Sequence, residues 1–163
     1  MGICDNRVAI ITGAGGGLGA AHAREFAAEG AAVIVNDINE AAAQAVVDEI
    51  TAAGGKAAVN TSDITNYDDS LNAVKQAIET YGGLHIVLNN AGINRDRMFA
   101  SMTEEDWDLI MAVHLKGPFC ISSHAVHNWR GRSKEGVPVD ARINNTSSGA
   151  GQQGSLGQSH DAA

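Results

Sequence analysis

Residues 12–19, which read Thr-Gly-Ala-Gly-Gly-Gly-Leu-Gly, constrain the fold of this chain more than any other stretch. They follow an apolar run at residues 8–11 and open an alanine-rich amphipathic segment, so their context is strand, glycine turn and helix. Glycines let a chain turn sharply and let a pyrophosphate approach where a Cβ would clash. The helix start adds unpaired N–H groups and the positive end of its dipole. The stretch therefore predicts a phosphate-binding turn, although a glycine-rich turn without a ligand has the same spacing.

The rest of the sequence alternates short apolar runs with longer segments of helical periodicity. Strands are predicted at residues 8–12, 32–36, 56–60, 85–88 and 142–147, and helices at 18–29, 40–53, 66–81 and 103–130, the last kinked at Pro118. On the first helix, Leu18, Ala21 and Phe26 are predicted to share the apolar side. Because a continuous apolar strand returns after each helix, we expect a parallel sheet covered on both faces. The predicted fold is α/β, with a doubly wound sheet of about five strands.

Composition limits the class of partner. The 163 residues are enough for one domain with a core, and the net charge of −8 disfavours nucleic acid and anionic membrane surfaces. Cys4 and Cys120 fit no zinc spacing and are typical of a reduced protein. His124 and His127 lack an evident third ligand, so no metal is expected. We see no signal peptide and no apolar run of membrane-spanning length, and therefore predict a cytoplasmic protein.

Two carboxylates follow predicted strands, at the sheet edge where ligands of such folds bind. Asp37 is placed to accept hydrogen bonds from both adenosine ribose hydroxyls, and its charge would repel a 2′-phosphate. No Lys or Arg lies beside the glycine turn, so the pattern favours NAD over NADP. A solvated turn aspartate or a helix cap is the alternative for Asp37. Asp63 can accept from an adenine amino group while Ile64 packs near the ring, and an N-cap or turn aspartate explains Asp63 equally well.

The tetrapeptide Asn89-Asn90-Ala91-Gly92 ends the fourth predicted strand. Its small residues would let a cofactor pass over the carboxyl edge of the sheet. Taken alone, it is a common loop sequence.

In combination these motifs resemble the short-chain dehydrogenase/reductase family. The resemblance rests on Thr12-Gly-x-x-x-Gly17-x-Gly19, Asp37, Asp63, the tetrapeptide 89–92 and the run Asn145-Thr146-Ser147-Ser148-Gly149, in that order. It implies a Rossmann fold that transfers hydride between a nicotinamide and a small alcohol or carbonyl substrate. The cofactor-binding residues it implies are Gly13, Gly17, Leu18, Gly19, Asp37, Asp63, Ile64, Asn90, Ala91 and Gly92.

The catalytic set of the family is Asn, Ser, Tyr and Lys. Ser148 matches the serine, whose hydroxyl would hydrogen-bond the substrate oxygen, and Ser147 is the neighbouring candidate. His114 occupies the asparagine position. A histidine at this position resembles members of the hydroxyacyl-CoA dehydrogenase-like branch of the family. The alternative is a helix histidine without a catalytic role.

Asp161 stands where the family has its tyrosine, and the family lysine has no counterpart in the sequence. An aspartate is ionised above about pH 4 and cannot donate a proton at neutral pH. Losing a general acid–base lowers rates by on the order of 10²–10⁴. His160 is a conceivable substitute.

We therefore expect a single Rossmann domain over residues 1–163, truncated after the fifth strand, inactive and with a compromised oligomer interface. The alternative is a catalytically silent nucleotide-binding or interaction module.

Overall fold

Five parallel strands form the sheet of this protein, whose computed structural model describes residues 2–153 and 158. The strands are β1 (Val8–Thr12), β2 (Ala32–Asn36), β3 (Lys56–Asn60), β4 (Ile86–Asn89) and β5 (Arg142–Asn145), in the spatial order β3-β2-β1-β4-β5. All four pairings are parallel. The order reverses between β1 and β4, which is the switch point where such sheets bind ligands. The predicted Rossmann-type α/β fold is therefore confirmed, with β4 shifted by one residue and β5 shorter than predicted.

The helices follow the strands in alternation. They are α1 (Gly17–Ala28), α2 (Glu40–Ala52), α3 (Tyr67–Tyr81), α4 (Glu104–Met111), α5 (Gly117–Lys134) and α6 (Gly149–Gln153), with a short 3-10 turn at Phe99–Ser101. A π-helical turn, Ala112–Lys116, joins α4 to α5 and ends just before Pro118. Proline cannot donate to the helical ladder, so the predicted irregularity at Pro118 is present as this π turn. The helical run continues to Lys134, beyond the predicted end at residue 130.

Two apolar clusters hold the helices on the two faces of the sheet. On one face Ile10, Ile34 and Val87 pack with residues of α3 and α5, among them Val74 and Ile121. On the other face the strands pack against α1 and α2, and the buried residues there include Ile11, Val33, Val35, Ala23 and Val46. The indole of Trp129 also donates a 2.8 Å hydrogen bond to the Leu84 carbonyl. The central strands are therefore covered on both sides, which explains their continuous apolar sequences.

The apolar side of α1 differs from the predicted one. Leu18 is 66% exposed and Ala21 is also exposed, whereas Ala20, Ala23 and Ala27 are buried and Phe26 is partly buried. Small side chains let α1 approach the sheet and α2 closely. The prediction for Leu18 and Ala21 was wrong because the side of α1 that faces the sheet is the one that carries Ala20, Ala23 and Ala27.

The run Glu104–Lys134 corrects the expectation that no segment approaches membrane-spanning length. Among the described residues it is the one helix long and apolar enough to cross a membrane by length and composition. The same run buries Cys120, Ile121 and Ala125 in the protein core. A core helix passes the same criteria, so this property is weak evidence for a membrane span.

Candidate cofactor site

Two structural requirements explain glycines in this turn, namely positive φ angles and close approach of another backbone segment. Gly13 and Gly17 have φ angles of +62° and +52°, a region that L side chains rarely adopt. A Cβ on Gly13 would lie 2.7 Å from the Ala91 Cα, so close backbone approach also requires glycine there. A Cβ on Gly17 would meet nothing within 4 Å. The turn therefore packs against the loop after β4 on one side and faces open space at Gly17.

The N-terminus of α1 lacks a side-chain cap. Gly16 occupies its N-cap position in an extended conformation, with no side-chain hydrogen bond to the first turn. In contrast, α2, α3 and α4 are capped by Asn39, Asn66 and Thr103, whose side chains accept from backbone N–H groups. The predicted cap at Thr103 is confirmed. The first amides of α1 are thus available for an anionic ligand in a way that those of α2, α3 and α4 are not.

Thr12 joins the glycine turn to the Asn-Asn-Ala-Gly loop. Its Oγ1 accepts hydrogen bonds from the backbone N–H groups of Asn90 and Ala91, each at 3.0 Å. In return, the Asn90 Nδ2 donates to the carbonyls of Thr12 at 3.1 Å and Gly13 at 3.4 Å. This reciprocal set fixes the ends of β1 and β4 together. Sequence reasoning gave Thr12 no separate role, although a hydroxyl ending a buried strand needs a partner.

Asp37 lies over the glycine turn. Its Oδ2 accepts from the Gly15 N–H at 2.9 Å, and its Oδ1 accepts from the Asn39 N–H at 2.9 Å. A Cβ on Gly15 would lie 2.8 Å from that Oδ2. The carboxylate is therefore both a local turn acceptor and a wall of the space above the turn.

A cavity of about 420 Å³ opens above this turn. Its lining comprises Gly13, Gly16, Leu18, Gly19, Asp37, Asn90, Gly92 and Thr146. Six of these were predicted cofactor residues, and Gly16 and Thr146 were not given a role. Thr146 donates a 3.4 Å hydrogen bond to the Asn90 Oδ1, which brings the chain just after β5 to the same edge. Uncapped amides and one carboxylate in a glycine-walled cavity match the diphosphate and ribose of a dinucleotide.

Asp63 and Ile64 do not line this cavity. The Asp63 Oδ1 accepts from the N–H and the hydroxyl of Thr65, at 2.8 and 2.7 Å. Ile64 is buried, and a Cβ on Gly117 would lie 2.8 Å from its Cδ1. Asp63 thus has the geometry of a turn aspartate, and Ile64 packs in the core. Their contact with adenine stays a prediction.

His114 lies on the π turn and contacts the loop after β4. Its Nε2 is 3.0 Å from the Ile93 nitrogen and 2.9 Å from the Ile93 oxygen. A Cβ on Gly92 would lie 3.3 Å from the His114 Cε1, so the ring packs closely on this loop. Ser148 lies between β5 and α6, on the same carboxyl edge as the cavity. Asp161 and His160 lie outside the described residues, and the catalytic roles of Ser148 and His114 stay predictions.

Comparisons with known proteins agree with this geometry. A family model described as short chain dehydrogenase matches residues 7–163. The hydroxyacyl-CoA dehydrogenase ChsB1 of Mycobacterium tuberculosis is 46% identical over 96% of this chain and 51% of its own length. The mouse peroxisomal multifunctional enzyme type 2 is 42% identical over 98% of this chain and 22% of its own length.

A solved structure supports the same relationship. The crystal structure of a short chain dehydrogenase from Mycobacterium avium matches with a TM-score of 0.96 and 54% identity. The match covers 99% of this chain and 61% of that one. The chain therefore spans about half the length of the M. tuberculosis relative and less than two thirds of the solved one.

Proposed function

Because this chain belongs to the short-chain dehydrogenase family of nicotinamide-dependent oxidoreductases, we propose that its cavity binds NAD. Bound NAD would supply a hydride acceptor for oxidation of a secondary alcohol, or NADH a donor for the reverse reaction. The observation that carries the proposal is the position of Asp37, whose carboxylate lines the cavity beside the uncapped start of α1.

The glycine turn would bind the diphosphate. The backbone amides at the start of α1 have no competing side-chain acceptor, and the open side of Gly17 leaves room for phosphate oxygens. Asn90 and Gly92, at the opposite wall, would border the part of NAD that extends towards β4.

Asp37 would select NAD over NADP. A carboxylate accepts hydrogen bonds from two ribose hydroxyls, but it repels a 2′-phosphate. None of the eight residues that line the cavity is basic, so nothing in that lining compensates such a charge.

The proposed substrate is a secondary alcohol such as a 3-hydroxyacyl thioester. The M. tuberculosis relative is named as a hydroxyacyl-CoA dehydrogenase. In this chain the Ser148 hydroxyl would donate a hydrogen bond to the substrate oxygen. His114 would hold the loop at Gly92 and Ile93 in place through its contact with Ile93.

Turnover by the 163-residue polypeptide should be slow. Its two tyrosines, Tyr67 and Tyr81, both lie on α3, and position 161 of the sequence is an aspartate. An ionised carboxylate cannot act as the proton donor at neutral pH. This favours a second candidate function, a nucleotide-binding module without family-level catalysis.

Calorimetry and a steady-state assay together test the proposal. NAD and NADP are titrated separately into the 163-residue chain, and NADH formation is followed with 3-hydroxyacyl thioesters. We expect tighter binding of NAD than of NADP, and rates on the order of 10²–10⁴ below family values. Absence of NAD binding would refute the cofactor assignment, and family-level rates would refute the predicted inactivity.

A further inference from the structure

A chain of amide side chains, two of them buried and the third, Gln76, partly buried, lies behind the cavity. The Asn36 Nδ2 donates to the Asn60 Oδ1 at 2.7 Å, and the Asn60 Nδ2 donates to the Gln76 Oε1 at 2.9 Å. The Gln76 Nε2 then donates to the Val59 carbonyl at 2.7 Å. Asn36 and Asn60 are only 2% and 7% exposed. These three residues, termed the amide chain below, connect β2, β3 and α3.

The amide chain contacts each segment that would surround the adenosine half of a dinucleotide. Asn36 Nδ2 donates to the Ser62 carbonyl at 3.0 Å, and the Ser62 N–H donates to the Asn60 Oδ1 at 3.1 Å. Ser62 directly precedes Asp63 and Ile64. The Asn60 backbone carbonyl accepts from the Asp37 N–H at 3.0 Å. The amide chain is therefore bonded to the loop before α3 and to the residue that carries the ribose carboxylate.

The glycine turn is bonded to the same unit. The Ala14 N–H donates to the Asn36 carbonyl at 2.9 Å. The side chain and the backbone of Asn36 thus hold different walls of the site, with the loop on one side and the glycine turn on the other. Since buried amide networks rigidify their surroundings when every member is paired, the relative position of these walls depends on the amide chain.

We propose that Asn36, Asn60 and Gln76 are positioning residues that set the affinity of the site for the adenosine half of the dinucleotide. This inference rests on the proposed NAD-binding function. Gln76 is the best residue at which to test this role, because it lies on α3 and is absent from the cavity lining. A substitution at Gln76 would therefore affect ligand binding only indirectly, through its hydrogen bonds with Asn60 and the Val59 carbonyl.

The test compares Gln76→Met with Gln44→Met. Methionine has nearly the length and helix propensity of glutamine but donates no hydrogen bond. Gln44 is the matched control, because its side chain makes one exposed bond to Asp48, at 2.7 Å, on α2. AMP and nicotinamide mononucleotide are titrated separately into each ¹⁵N-labelled protein, and the two dissociation constants are read from amide shifts. Thermal unfolding of each variant is recorded beside them.

We expect Gln76→Met to weaken AMP binding about three- to tenfold, the scale of one or two hydrogen bonds, with nicotinamide mononucleotide changed less than about twofold. Gln44→Met should change neither. A Gln76→Met protein that melts lower but keeps the wild-type AMP affinity would overturn the inference while leaving NAD binding intact. Equal weakening of both ligands would also overturn it. A wild-type protein that binds neither ligand would overturn the proposed function itself.

Gln76→Asn is the second variant should Gln76→Met fail to fold. It keeps the amide but removes one methylene, so the side chain no longer spans from the Asn60 Nδ2 to the Val59 carbonyl. The same selective loss of AMP affinity is expected, and wild-type AMP affinity in this variant would refute the positioning role.

Discussion

At the scale of single residues, the charge of Asp37 is the feature that we propose sets the choice between NAD and NADP. Replacing Asp37 with Asn keeps the shape and an acceptor for the Gly15 N–H but removes the charge. We expect the ratio of NAD to NADP affinity to fall about tenfold or more, because hydrogen bonds to charged groups contribute about 1.5–3 kcal/mol. Calorimetric titration of both dinucleotides measures this ratio.

Asp48→Asn is the matched control for that experiment. Asp48 lies on α2, is exposed, and accepts only locally from Gln44 among the bonds described. The same loss of one negative charge there should leave the ratio unchanged. An unchanged ratio in Asp37→Asn would instead show that this carboxylate is a turn acceptor without influence on the 2′ position.

A second residue-scale prediction concerns acid stability and His85. Its Nδ1 accepts a 3.1 Å hydrogen bond from the Val8 N–H, which requires the unprotonated nitrogen. Burial, together with the positive charges of Arg7 and Arg132, lowers the pKa of His85 below its ordinary 6.5, and Asp140 opposes this only partly. Between the folded and unfolded pKa values the unfolded chain binds more protons, so stability rises with pH in that window. The contribution of neutral His85 to the free energy of unfolding is therefore fully present above about pH 6.5. It is lost as the pH falls towards the lower pKa of the folded state.

Urea unfolding measured at several values between about pH 7.5 and 5 tests this dependence. The free energy of unfolding should fall with acid in the wild type and fall less in His85→Gln. His22→Gln, on α1, is the control for removal of a histidine elsewhere. A His85→Gln protein with the full wild-type acid dependence would contradict the assignment.

At the scale of elements, the bond set around Thr12 couples β1 to the loop after β4. Thr12 is 1% exposed, and Thr12→Val has nearly the same shape without the acceptor. The N–H groups of Asn90 and Ala91 would lose their partner. We expect a loss of about 1–3 kcal/mol in the free energy of unfolding and weaker NAD binding, since two of the hydrogen bonds that join the walls of the cavity are lost.

Thr51→Val provides the comparison for Thr12→Val. Thr51 is exposed on α2, and its hydroxyl donates only to carbonyls of its own helix. Removal of the Thr51 hydroxyl should lower the free energy of unfolding less than removal of the Thr12 hydroxyl, and it should leave NAD binding unchanged. Equal effects of the two substitutions in urea unfolding and in calorimetry would contradict the coupling role of Thr12.

Element positions were largely predictable from the sequence, whereas several contacts were not. Apolar runs next to glycines located β1 and β2, because buried parallel strands are continuously apolar. The inward side of α1 was not predictable from size, since helix approach selects alanines there. Pro118 predicted an irregularity in this helical run, but not that it would be a π turn at Ala112–Lys116.

At the scale of the whole molecule, the site likewise combines features that the local sequence predicts with contacts that only the tertiary fold creates. The glycine turn and Asp37 belong to consecutive elements, so the local sequence predicted their proximity. The amide chain of Asn36, Asn60 and Gln76 depends on which strands are neighbours and on how α3 packs. Thr146 reaches the cavity only because β5 pairs with β4. Such long-range pairings leave no local pattern in the sequence.

At one side of the described sheet, β5 is the outer strand. All four residues of β5 are exposed among the residues that the structure describes. The outer strand of a sheet presents backbone N–H and C=O groups that no neighbouring strand pairs. The cavity is built mainly by residues that follow β1, β2 and β4, and Thr146 is its one lining residue from the chain after β5.

A crystal structure of the 163-residue chain soaked with NAD tests the central claim most directly. We predict density for the diphosphate against the first amides of α1, with the ribose hydroxyls within hydrogen-bond distance of the Asp37 carboxylate. A glycine turn without diphosphate density, in crystals soaked at saturating NAD, would contradict the account.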